Sequence, residues 1–245
     1  MSNDFCIILA GGVGKRLWPC SRRNVPKQFI DFTGVGRTLL QQTFDRYARF
    51  IPRENIYVST FRDYAGLVAE QLPELPAANV LAEPVQLSTA PAAVWASCHI
   101  SRLMPEANIV VTPSDQFIAD EEKFGQQIRA GLEFVAAHGD FLAVGAKPTV
   151  PNTAYGYIQT DGNDDGQRRF GVQSFSEKPA PEYARMFVES GEFLWNTGIF
   201  LWNARTMADM IHCLAPMAAE YMTHNAGGFT AEELSLIHIS EPTRL

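Results

Sequence analysis

Short apolar runs alternate along this chain with longer stretches in which apolar residues recur every three or four positions. The runs Phe5–Leu9, Ile56–Ser59, Val80–Ala82, Ile109–Thr112 and Phe141–Val144 read as strands. Leu39–Arg49, Tyr64–Gln71, Ala90–Leu103 and Lys123–Ala137, lying between them, read as helices. This alternation predicts an α/β fold: a Rossmann-like, mostly parallel sheet flanked by helices, with ligands at the carboxyl ends of its strands. After Pro151 the pattern becomes β-rich within the same domain. Strands are expected at Tyr155–Thr160, Arg169–Phe175 and Trp195–Trp202, with a polar turn at Asp161–Gly166 and helices at Pro181–Glu189 and Arg205–Leu214.

The first strand runs into Leu9-Ala10-Gly11-Gly12-Val13-Gly14-Lys15-Arg16, and Pro26-Lys27-Gln28 follows. Glycines at these positions let the backbone turn sharply and aim N–H groups at a ligand with no Cβ in the way. Arg16 and Lys27 add full charges for phosphate oxygens. The loop reads as an anion site for a nucleoside triphosphate, with a plain structural turn as the competing reading. Two commoner phosphate loops do not fit. A Walker loop needs glycine where Leu9 stands and Ser or Thr where Arg16 stands. A dinucleotide fingerprint on Gly12 and Gly14 needs a third glycine at Leu17, and an acid where Thr60 and Phe61 stand.

Composition narrows the partners. A chain of 245 residues, 46% hydrophobic, buries a substantial core. Its formal charge of −7 argues against nucleic acid, whose phosphates recruit surplus Lys and Arg, yet a local cation cluster still suits small anions. Cys6, Cys20, Cys98 and Cys213 show neither zinc spacing nor a close redox pair, and read as buried thiols in a reducing compartment. No apolar stretch approaches the ~20 residues of a membrane span, and no basic region or cleavage site precedes the first strand. A soluble cytoplasmic protein is expected. Leu234–Arg244 matches the translation of a transposon sequencing adaptor, so residues 1–233 are expected to be one domain cut short and 234–245 a non-native tail.

Several further residues are candidates for chemistry. Asp115 ends the run Val110-Val111-Thr112-Pro113-Ser114-Asp115. It suits Mg²⁺, which takes hard oxygens and commonly uses one or two carboxylates with substrate phosphates; a turn or helix cap is the alternative. Glu177-Lys178-Pro179 pairs an acceptor for sugar hydroxyls with an ammonium for phosphate, or is a solvated ion pair before a turn. Asn196, in Trp195-Asn196-Thr197-Gly198, suits a pyranose hydroxyl or marks a turn in a strand. Gly156, between Tyr155 and Tyr157, admits a sugar or marks a bulge. His99 and His138 have no triad pattern and Ser114 lacks the glycines of a nucleophile elbow, so direct displacement between bound phosphates is expected.

Together these segments resemble the mannose-1-phosphate guanylyltransferases (GDP-mannose pyrophosphorylases) among the sugar nucleotidyltransferases, from about Asp4 to Tyr221. The motifs stand in that family's order: Leu9-Ala10-Gly11-Gly12 through Arg16-Leu17-Trp18-Pro19, Pro26-Lys27-Gln28-Phe29, Thr89-Ala90-Pro91-Ala92, Pro113-Ser114-Asp115, Tyr155-Gly156-Tyr157-Ile158, Glu177-Lys178-Pro179 and Trp195-Asn196-Thr197-Gly198. The resemblance implies the nucleotide-diphospho-sugar transferase fold and transfer of GMP from GTP to mannose 1-phosphate, with Mg²⁺ required. It implies that Leu9, Ala10, Gly11, Gly12, Gly14, Lys15, Arg16, Lys27, Ser88, Thr89 and Ala90 hold the nucleotide. Gly156, Glu177, Lys178 and Asn196 would hold the sugar phosphate in the β-rich half, and Asp115 the metal. Arg16, Lys27, Asp115 and Lys178 would be catalytic.

The chain departs from that family in places. Ser88 stands where the family usually has Asn, and Gln116 where it usually has His. The family's second metal-binding Asp would fall beyond the start of the foreign tail, so an incomplete metal site is expected. The competing functions are the same chemistry on another hexose 1-phosphate and nucleotide, and a non-catalytic nucleotide-sugar-binding regulatory protein. Relatives often assemble through their C-terminal portion, which implies a homo-oligomer for the full-length protein.

Overall fold

The structure, a computed structural model, describes residues 3–14, 17–85 and 88–214, with side chains to 211. In chain order its elements are β1 (Asp4–Leu9), α1 (Leu39–Tyr47), β2 (Ile56–Phe61), α2 (Ala65–Gln71), β3 (Val80–Glu83), α3 (Thr89–Leu103), β4 (Asn108–Pro113), α4 (Glu121–His138), β5 (Leu142–Ala146), β6 (Gly156–Thr160), β7 (Val172–Glu177), α5 (Pro181–Ser190), β8 (Phe193–Asn203) and α6 (Ala204–Leu214). The fold is α/β, and the chain divides into two compact units, Met1–Leu142 with Leu201–Leu245, and Ala143–Phe200. The expected foreign tail, Lys15 and Arg16 lie outside the described residues.

The first unit is the parallel part. Its strands run in the order β3-β2-β1-β4, with Leu9 beside both Ser59 and Pro113. The run Phe5–Ile8 is wholly buried, as a strand covered on both faces requires. Tyr57 meets His99 of α3 at 5.8 Å, and burial lowers the His99 pKa, with Arg102 adding to the effect. Cys6 alternates with Ile7, the register partner of Tyr57, so Tyr47 of α1, which neighbours Cys6, covers the opposite face. Helix ends are marked in the sequence. Thr38 and Gln41 form a capping box at α1; Asp120 caps α4, which stops at Gly139 with φ +66°.

The second unit is antiparallel, with β6 between β7 and β8. Tyr157, Ala184 and Phe193 form its core, with Phe187 of α5 against them. Here the largest difference from expectation is that β7 starts at Val172 rather than Arg169. The Asp161 carboxylate takes the N–H groups of Asn163 and Gly171, and Asp165 takes those of Gln167 and Arg169. Side chains that capture backbone donors this way compete with the ladder and hold the segment in turns.

The expectation of buried thiols needs one correction. Cys6 and Cys98 are buried, and burial pushes the Cys98 thiol up to about 11, but Cys20 is exposed. It lies in a turn after the glycine loop. No helix among the described residues is long and apolar enough to cross a membrane.

Candidate functional site

Where β1 ends, the protein grips the backbone by its carbonyls. Ala10 O accepts from Gln28 Nε2 at 2.6 Å and from Thr60 Oγ1 at 3.0 Å. Gly12 O accepts from the same Gln28 Nε2 at 3.0 Å, and Val13 O accepts from Ser21 Oγ at 3.1 Å. Among the described residues no hydrogen bond takes up the N–H groups of Gly12, Val13 or Gly14. Carbonyl oxygens repel phosphate and N–H groups attract it, so a loop with its carbonyls tied to the protein presents the polarity an anion needs.

Two of the glycines are glycine for different reasons. Gly14 has φ +66°, and a Cβ there would strike Ser21 Oγ and come within 3.0 Å of Lys27 Cγ, so the fold itself demands it. A Cβ on Gly12 would meet nothing within 4 Å. The fold leaves that space open.

Gln28, 1% exposed, makes two of these four hydrogen bonds, and among the described residues its Oε1 has no hydrogen-bond partner. In the sequence it is only the neighbour of Lys27; its role rests on contacts 16 and 18 residues away. Lys27 makes an ion pair with Asp115, the two side chains being 29% and 27% exposed. Asp115 reaches this position because β4 is in register with β1 and Ser114 N–H donates to Leu9 O at 3.2 Å.

Helix α1 fixes the Asp115 loop. Thr43 Oγ1 donates to Ser114 O at 3.2 Å, and Arg46 Nη2 donates to Gln116 O at 3.3 Å. Arg46 is 4% exposed; its Nε lies 3.1 Å from Glu121 Oε1. Nothing in the local sequence marks Thr43 or Arg46 as more than helix residues. The structure therefore brings Leu9, Ala10, Gly12, Gly14, Lys27 and Asp115 into one cluster. Thr89 and Ala90 open α3, and Ser88 before them has φ 84° and ψ −176°, a region glycine favours, with no side-chain cap.

Glu83 is a further carboxylate that no motif in the sequence marks. It ends β3, is buried, and accepts from Ser59 Oγ at 2.8 Å. Burial pushes its pKa above the ordinary 4.5, against the pull of the Ser59 hydroxyl. The folded state thus holds this proton more tightly than the unfolded chain, and stability falls as pH rises from 4.5 through the folded value. Glu83→Gln should remove that part of the decline, raising the urea midpoint at about pH 7 relative to that at about pH 4 when compared with the unaltered protein.

In the second unit, strand register assembles the sugar candidates. Gly156 pairs with Glu177 across β6 and β7 and with Asn196 across β6 and β8, so the three stand in one row. A Cβ on Gly156 would come within 2.6 Å of Glu177 Oε2 and 3.4 Å of Asn196 Cβ. Glu177 makes an ion pair with Lys178, which has φ +47°. The neighbouring aromatic Trp195 alternates away from this row and lies against the core of Tyr157, Ala184 and Phe193. Gly156→Ala should displace a flexible carboxylate without disturbing the core. We expect an unfolding midpoint within about 0.5 kcal/mol of the unaltered protein but a clear loss of sugar-phosphate binding, both readable by calorimetry.

The metal reading of Asp115 can be judged by its donors. Among the described residues no group of three or more His, Cys, Asp or Glu is placed to hold a metal ion. A single half-buried carboxylate does not make a resident metal cage, but it fits Mg²⁺ arriving with substrate phosphates, which supply the remaining hard oxygens.

Comparison with known proteins identifies the family. Residues 5–224 match the family described as nucleotidyl transferase. A mannose-1-phosphate guanylyltransferase of Salmonella muenchen is 36% identical over 245 residues, covering 98% of this chain and 51% of that protein. The xanthan biosynthesis protein XanB of Xanthomonas campestris pv. campestris strain B100 is 36% identical over 223 residues, covering 90% of this chain and 46% of that protein. The chain thus spans about half the length of the curated relatives it matches. A crystal structure described as mannose-1-phosphate geranyltransferase from Thermus thermophilus superposes with a TM-score of 0.84 at 29% identity, over 95% of this chain and 67% of that one. With the family match running from β1 through the last strand, the chain belongs to the nucleotidyl transferase family.

Proposed function

We infer that the protein transfers GMP from GTP to mannose 1-phosphate, giving GDP-mannose and pyrophosphate. The observation that carries this reading is the glycine loop, whose carbonyls at Ala10, Gly12 and Val13 are bound by Gln28, Thr60 and Ser21. The likeness to a mannose-1-phosphate guanylyltransferase supports this choice of substrates.

In the reaction an oxygen of the sugar phosphate forms a bond to the nucleotide α-phosphorus as the bond to pyrophosphate breaks, and no proton transfer is needed. The chain's task is to bind and neutralise anions. The N–H groups of Gly11, Gly12 and Gly14, with Arg16 and Lys27, hold the triphosphate; Lys15, Ser88, Thr89 and Ala90 border it. Asp115 holds Mg²⁺, which when bound draws charge from the phosphate oxygens. Gly156, Glu177 and Asn196 hold mannose, and Lys178 takes its phosphate.

Glu83 is the group we assign to the base. It ends a strand two strands from β1, about 10 Å across the sheet. A carboxylate accepts from the adjacent N–H groups on the guanine edge, whereas uracil and thymine flank a single N–H with carbonyl oxygens that repel it. GTP and a free, exposed Cys20 both suit a reducing cytoplasm.

The test is incubation of a chain completed with the family's second metal-binding Asp with mannose 1-phosphate, Mg²⁺ and an equimolar mixture of GTP, UTP and dTTP. GDP-mannose and pyrophosphate should form in preference to the other nucleotide sugars. Product from UTP or dTTP alone overturns the assignment of the base. GDP-mannose binding with no turnover in that completed chain favours a regulatory protein instead.

A further inference from the structure

We propose that Lys27 and Asp115 exchange partners when nucleotide binds: the ammonium that neutralises the carboxylate passes to the triphosphate, and the carboxylate is released to the metal. The inference rests on the reading of Asp115 as a metal carboxylate, and it adds that Lys27 competes with the metal.

The ion pair joins Lys27 Nζ to Asp115 Oδ2, and both side chains are partly open to solvent. A divalent cation and an ammonium close to the same oxygen repel one another strongly, so the two occupants of that oxygen are alternatives. Lys27 is built to leave. Its backbone sits in the rigid turn Lys27–Phe29, where the next residue, Gln28, is locked onto Ala10 and Gly12. Its stem runs along the glycine loop, close enough that a Cβ on Gly14 would approach Lys27 Cγ to 3.0 Å and Lys27 Cβ to 3.2 Å. An ammonium on a flexible stem lying along that loop reaches an anion there by rotation about its own side-chain bonds, without backbone movement. Asp115 cannot follow, because Thr43 and Arg46 fix the carbonyls on either side of it.

Exchange makes metal and nucleotide binding mutually reinforcing, since each removes the partner that the other displaces. Mn²⁺ binding, read by electron paramagnetic resonance with and without GTP, measures this on the full chain. In the unaltered protein GTP should tighten Mn²⁺ binding. Lys27→Met should bind Mn²⁺ alone about fivefold more tightly, while its GTP-dependent gain shrinks. Lys27→Arg, which keeps the competing charge, should bind Mn²⁺ alone as the unaltered protein does. Asp115→Asn should bind Mn²⁺ weakly with or without GTP. If Asp115→Asn leaves Mn²⁺ affinity unchanged, the metal role of Asp115 fails. If Asp115→Asn weakens Mn²⁺ binding but Lys27→Met leaves it equal or weaker, only the exchange is overturned.

Discussion

Gly12→Ala is expected to weaken GTP binding by at least about a hundredfold while leaving stability within about 0.5 kcal/mol of the unaltered protein. The two halves of this expectation have separate causes. A Cβ at position 12 meets no atom of the described residues within 4 Å, so they accommodate alanine without strain. Phosphate bound through N–H groups needs the backbone at hydrogen-bond distance, and a methyl group there holds it off. Losing two charge-assisted hydrogen bonds, each worth about 1.5–3 kcal/mol, accounts for the hundredfold. Gly14→Ala is the contrast. Its positive φ and the crowding by Ser21 and Lys27 predict loss of stability together with loss of binding. Calorimetric GTP titration and thermal unfolding of both variants separate a glycine kept for a ligand from one kept for the turn.

Glu121→Ala carries the largest expected effect on stability, about 3 kcal/mol. Arg46 is 4% exposed, and its charge is matched by Glu121, with Gln116 O as the other acceptor. Removing the carboxylate leaves a buried guanidinium without a counter-charge, whereas Arg49, the other partner of Glu121, is 63% exposed and is rehydrated at little cost. The double variant Arg46→Met with Glu121→Ala should be less destabilised than Glu121→Ala alone, because no charge is then left buried. Urea unfolding of the two variants checks this. Because Arg46 also holds the carbonyl next to Asp115, Glu121→Ala should raise the Mg²⁺ concentration required for turnover more than it lowers the rate at saturating Mg²⁺.

Much of this arrangement was legible in the chain because local signals and the fold agree. Phe5–Leu9 and Ile109–Thr112 are apolar runs with no alternation, and β1 and β4 are buried strands paired side by side in the parallel set. The glycine loop and Asp115 were legible as motifs at strand ends. What joins them was not. Gln28 acts on Ala10, and Arg46 on a carbonyl 70 residues away, and neither contact leaves a mark in the neighbouring sequence. Gly156, Glu177 and Asn196 were legible one at a time, but their common row comes from strand register. Glu83 is not legible because a glutamate before a proline reads as a strand end; only burial against Ser59 sets it apart. The late start of β7 has the same origin, side chains of Asp161 and Asp165 taking backbone donors that a period-two pattern assigns to a ladder.

The most direct measurement is a crystal structure of the protein with GTP and Mg²⁺. The account predicts triphosphate oxygens within hydrogen-bond distance of the N–H groups of Gly12 to Gly14, Lys27 turned onto those phosphates, and the Asp115 carboxylate on the metal. A triphosphate bound away from this loop, or a metal held without Asp115, would contradict it.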